Sequence, residues 1–110
     1  KIDTYSHSNK ARNMIKELIE FDLAVQVAME YVSLHPDTLL IVTADHETGG
    51  LQYNPGSDPV YKYTTVNHTS TQPYVMALGY GAEYFNNVTV DNTDIPKFIA
   101  KQLGVYDFAS

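Results

Sequence analysis

Thr38-Leu39-Leu40-Ile41-Val42-Thr43-Ala44 is a run of apolar and β-branched residues without polar alternation. A strand with one wet face alternates, because successive side chains point to opposite sides. This run predicts instead a strand buried on both faces, the pattern of parallel sheets in α/β proteins. Asp45 and His46 follow at its carboxyl end, and Gly49 and Gly50 mark a turn beyond them. In open α/β sheets that edge is where ligands bind.

Upstream of the run, apolar residues Met14, Ile15, Leu18, Ile19, Val25, Ala28, Met29 and Val32 recur at spacings of three and four, which predicts an amphipathic helix over Ala11–Leu34. Ser8 or Asn9 is expected to cap its start, and Pro36 cannot continue it. Downstream, residues 54–59 read NPGSDP, a loop signal, followed over 60–66 by a short strand or hairpin arm. Residues 74–78 form another apolar run closed by Gly79, and 95–103 have helical spacing, with Asn92 or Thr93 as cap and Gly104 as stop. The expected fold class is α/β, a partial parallel-sheet sandwich in one unit over residues 1–110.

With 110 residues, the chain has material for at most one domain. Thirteen acidic against seven basic residues give a net charge of −6, which excludes a nucleic-acid backbone binder, since such footprints need clustered Lys and Arg. A negatively charged substrate would need bound cations. With no cysteine, the strong metal ligands available are Asp, Glu and His. No apolar run reaches the roughly 18 residues of a membrane span. The first residue is Lys1 rather than Met, so sequence upstream is expected to be missing.

Four histidines occur, at 7, 35, 46 and 68. A helical turn or a tight loop would bring Asp3 and His7 together as a carboxylate–imidazole pair. Asp45 and His46 are adjacent, so in a regular strand they would face opposite sides; to share a metal region they must lie just past the strand's end. His68, between Asn67 and Thr69, has only polar neighbours, and alone it reads as a surface histidine. His35 precedes Pro36 and reads as a helix-end residue whose positive form suits the helix dipole. Glu47 adjoins the candidate ligands but can equally face solvent. The sequons Asn67-His68-Thr69 and Asn87-Val88-Thr89 read as chance matches, and no glycine motif fits a phosphate cradle.

Ile41-Val42-Thr43-Ala44-Asp45-His46-Glu47-Thr48-Gly49-Gly50 resembles the alkaline phosphatase family, whose members carry a TADH segment at a strand end. Ile2-Asp3-Thr4-Tyr5-Ser6-His7 is similar to the family's Ile-Asp-x-x-x-His segment, and Asn67-His68-Thr69-Ser70 to its His-Thr segment, in the family's order. Residues 79–85 and 91–95 resemble its closing segments. The resemblance implies that Asp3, His7 and His68 bind one zinc ion and that Asp45 and His46 contribute to a second, with phosphate monoesters as substrates. It also implies a periplasmic or extracellular setting.

The family's phosphorylated serine, the aspartate completing the second zinc site, the magnesium-site glutamate and the phosphate-gripping arginine have no counterpart in residues 1–110; Arg12 falls on the helix. The chain therefore reads as a C-terminal piece of an alkaline phosphatase, inactive alone. Alternatives are a phosphodiesterase or phosphonate hydrolase of the same superfamily with another nucleophile, and a non-catalytic zinc-binding fragment. An uncovered sheet edge and apolar face leave association, including a homodimer, open.

Overall fold

Helices α1 (Ile2–His7) and α2 (Ala11–Leu34) open the computed structural model, which describes residues 1–108. There follow β1 (Leu39–Val42), β2 (Glu47–Thr48), β3 (Gln52–Tyr53), β4 (Tyr61–Lys62), β5 (His68–Thr69), β6 (Met76–Gly79), a 3₁₀ turn (Ala82–Phe85) and α3 (Asp94–Gln102). Of the unit read over 1–110, Ala109 and Ser110 lie outside the described residues.

The long helix has the bounds its periodicity predicts, but not the expected caps. Ser8 turns its hydroxyl back to the Thr4 carbonyl at 3.1 Å, and Asn9 takes φ 52° in the connecting turn. Lys10 is left at the N-cap without a side-chain cap bond. At the other end His35 fulfils its structural role: its Nδ1 lies 2.8 Å from the Tyr31 carbonyl, and its ring stacks on Tyr31 with centroids 3.8 Å apart. α3 likewise lacks a side-chain cap from Thr93; Asp91 instead accepts from the Thr93 backbone N–H at 2.9 Å and its hydroxyl at 2.7 Å.

The expected parallel sheet is corrected. Among the described residues the ladders are three antiparallel pairs, β1 with β6, β2 with β5 and β3 with β4. β1 and β6 align Leu39 with Gly79 and Val42 with Met76. An unalternating run reports how much of a strand is covered, not the direction of its neighbour, so it could not distinguish the two pairings. Its burial is also partial: all four β1 residues are half-buried beneath α2. β3 and β4 form the hairpin expected around the NPGSDP loop, shortened to two residues a side.

The interior is thin. Met14, Val32, Phe85 and Ala100 are the buried hydrophobic residues among those described, with Phe98 edge-on to Phe85 at 5.2 Å and stacked on Tyr84 at 4.1 Å. Leu18 and Ile19, read as the apolar face of α2, are 45% and 55% exposed. The radius of gyration is 16.7 Å, against about 13 Å for a self-contained domain of this length. Helix and sheet thus present apolar surface that they do not bury among themselves. No helix among the described residues is long and apolar enough to cross a membrane.

Candidate metal centre

α1 is a single helical stretch, and its four-residue spacing sets His7 Nε2 3.2 Å from Asp3 Oδ1. β1 ends at Val42, so Asp45 and His46 lie past the strand, as their adjacency required. β5 carries His68. Its Nε2 lies 3.2 Å from His7 Nε2 and 3.7 Å from Asp3 Oδ1, while its ring stacks on His46 with centroids 3.5 Å apart. Donor atoms of Asp3, His46 and His68 all fall within 4.8 Å of one another.

Two imidazoles are oriented by what their other nitrogen meets. His7 Nδ1 faces the Val66 carbonyl at 2.6 Å, an acceptor only, so Nδ1 carries the proton and Nε2 presents its lone pair to Asp3 and His68. His46 Nδ1 faces the Glu47 carbonyl at 3.3 Å and the Thr48 hydroxyl at 3.2 Å. The Thr48 hydroxyl spends its one hydrogen on Asp3 Oδ1, 2.8 Å away, so toward His46 it accepts. His46 Nε2 is thereby left as a lone pair. This is the arrangement of metal-binding histidines, whose second nitrogen donates to a neighbouring oxygen.

The spacing suits a tetrahedral cation. Donors about 2.0–2.1 Å from zinc stand about 3.3–3.4 Å apart at tetrahedral angles. Asp3, His7 and His68 make a triangle of 3.2, 3.2 and 3.7 Å. The Asp3 carboxyl is held below its usual range, chiefly by the Thr48 hydroxyl; desolvation opposes the shift, and the nearby imidazoles add to it in their protonated form. It is thus biased toward the anion a cation needs.

Asp45 stands at the margin. Its Oδ1 accepts from the His46 backbone N–H at 3.1 Å and its Oδ2 lies 3.4 Å from His46 Nε2, but its side chain is 88% exposed. It borders a cleft of about 490 Å³ shared with Thr43, Gln72, Tyr74 and Asn92. Glu47 does neither thing the sequence offered: Thr69 Oγ1 donates to its Oε2 and the Gly50 N–H donates to its Oε1 at 2.7 Å. Burial pushes its pKa up, and these bonds outweigh that and bring it down. Thr48 and Thr69 were missed from sequence. The signal for Thr48 was its distance of two from His46, which in extended chain returns a side chain to the same face.

Comparison with known proteins bears on the family of the whole chain. The alkaline phosphatase family model matches residues 1–102. The repressible alkaline phosphatase of Saccharomyces cerevisiae is 29% identical over 126 residues, covering 98% of this chain and 21% of that protein. Alkaline phosphatase 4 of Drosophila melanogaster is 51% identical over 47 residues, 42% of this chain and 8% of its own. A substituted TAB5 alkaline phosphatase, solved with magnesium at a site called M3, superposes with a TM-score of 0.74 at 30% identity, over 99% of this chain and 34% of that one. The chain spans about a fifth of the yeast relative and a third of the solved structure. A match running almost from end to end, in sequence and in fold, means that the chain belongs to the alkaline phosphatase family.

Proposed function

We propose that the protein to which these residues belong hydrolyses phosphate monoesters through a phosphoseryl intermediate, and that this chain supplies most protein ligands of a zinc pair. Asp3, His7 and His68 hold one zinc ion; Asp45 and His46 contribute to a second. The magnesium ion of the family's third site takes a glutamate that residues 1–110 lack. When bound, the ions supply positive charge that lowers the pKa of a water and stabilises ester oxygens.

This chain's own part is presentation. The Val66 carbonyl and the Thr48 hydroxyl hold the Nδ1 protons of His7 and His46, which keeps both Nε2 atoms free to bind. Thr48 also steadies the Asp3 carboxylate. A chain of net charge −6 would repel a phosphate dianion, and cations at this cluster reverse that locally.

The observation that carries this reading is the Asp3–His7–His68 triangle with its 3.2, 3.2 and 3.7 Å edges. Calorimetric zinc titration of the chain and of His7→Ala tests it: binding is expected in the former and lost in the latter. Equal binding by both, or by neither, rejects the ligand set. With the serine elsewhere, the purified chain is expected to give no phosphate release from p-nitrophenyl phosphate; metal-dependent turnover would refute covalent catalysis by a distant serine. A periplasmic or extracellular setting, and association of copies through the apolar surface left open, belong to the same proposal; sedimentation of the chain reads the second.

A further inference from the structure

β2 and β5 are only two residues long each, yet they hold the two stacked histidines together. Ladders this short are marginal by themselves, and a slip of one position would turn every side chain to the other face. The register pairs Glu47 with Thr69 and Thr48 with His68. Because side chains alternate, Thr48 and His68 point toward Asp3 and His46, whereas Glu47 and Thr69 point away from them.

On that far face the Glu47 carboxylate is fully engaged. One oxygen takes the Thr69 hydroxyl from the opposite strand, and the other takes the Gly50 N–H from the turn leaving β2. A charged acceptor makes both bonds stronger than neutral ones. Glu47 therefore ties three things at once: β2, β5 and the turn beyond. Gly50 itself leaves no room for a side chain at this turn, where the Thr64 hydroxyl closes in and donates to the Gly50 carbonyl at 3.1 Å.

We propose that Glu47 is a positioning residue which locks the β2/β5 register and so holds His46 against His68 in the metal centre, without itself touching the ion. This rests on the metal reading above. It distinguishes Glu47 from Asp3 and Asp45, the other acids near the cluster, whose oxygens face the imidazoles.

The test is zinc affinity by calorimetry on the 110-residue chain, with the amide spectrum of α2, β1 and β6 as a check that the distant fold is intact. Glu47→Ala is expected to weaken zinc binding about 10-fold, the low end of the range for a residue that bonds a metal ligand directly, because Glu47 acts one step further out. Glu47→Gln keeps an acceptor for Gly50 and a polar partner for Thr69, so it should recover most of the affinity. A ligand role would instead make Gln as damaging as Ala. Ring-to-ring nuclear Overhauser contacts between His46 and His68, recorded without metal, should fade in Glu47→Ala and return in Glu47→Gln.

Should Glu47→Ala fail to fold, Thr69→Val cuts the same tie from the other strand and is expected to weaken zinc binding several-fold. Unchanged affinity in a folded Glu47→Ala, or in Thr69→Val, overturns the role of Glu47 alone. No zinc binding by the unsubstituted chain overturns the metal reading and this inference with it.

Discussion

His7 and His68, 61 positions apart in the chain, bring their Nε2 atoms to 3.2 Å. The rings are tilted by 40° with centroids 5.0 Å apart, so they meet nitrogen to nitrogen rather than face to face. The Val66 carbonyl fixes the proton of His7 on its far nitrogen. Its near nitrogen is an acceptor, and what the pair can share is a proton or a cation.

Zinc affinity should therefore depend on His68 and not on every histidine. His68→Ala is expected to lower it by more than the roughly 10- to 100-fold of an outer-shell change. His35→Ala, whose ring sits on Tyr31 at the end of α2, should leave it unchanged. Titration of both variants checks this; equal losses would show that histidine content, rather than the cluster, sets binding.

Gly49→Ala should damage both stability and metal binding. Gly49 adopts φ +92°, and a Cβ would stand 2.5 Å from Tyr63 Cδ1. Its N–H donates to the Asn67 carbonyl at 2.9 Å, and its carbonyl accepts from the Thr64 N–H at 3.0 Å. It thus holds the segment that carries the Val66 carbonyl to His7. Backbone strain of this kind costs of the order of 1–3 kcal/mol before the clash is counted. A lower melting temperature together with weaker zinc binding is the expected result.

Asp91 should make stability fall in acid. Bonds from the Thr93 N–H and hydroxyl lower its pKa in the folded chain, with a smaller contribution from Lys97. A carboxyl with a depressed folded pKa stabilises above its unfolded pKa, and that contribution fades as pH drops through the folded value. The melting-temperature gap between the unsubstituted chain and Asp91→Ala is expected at neutral pH and should close as pH falls below the ordinary carboxylate value of 3.8. A gap independent of pH would mean that the charge plays no part.

Phe85→Ala should be disproportionately harmful. Removing a buried Phe commonly costs about 3–5 kcal/mol, and Phe85 is one of four buried hydrophobic residues among those described. It also braces Phe98 of α3 edge-on at 5.2 Å. Loss of a cooperative melting transition, followed by circular dichroism, is the expected outcome; a small shift in melting temperature would place the core elsewhere.

Local features were legible in the sequence because they depend on neighbours along the chain. Apolar spacing and Pro36 set the limits of α2, the NPGSDP stretch placed the β3/β4 hairpin, and the spacing of Asp3 and His7 sufficed to pair them on one helical turn. The resemblance of three segments to the alkaline phosphatase family supplied the candidate ligands.

What needed the folded chain were relations between distant segments. The direction of β6 beside β1 is invisible in a run that records coverage but not partners. His68 has polar neighbours and no local sign of its role; it gains one only when β5 pairs with β2 and sets it on His46 and beside α1. Glu47 could have faced solvent or an ion until the register put Thr69 opposite it. Period and turns follow from interactions within a few residues, so sequence determines them. Register and the meeting of side chains some 60 positions apart depend on how whole elements pack, and that is decided only in three dimensions.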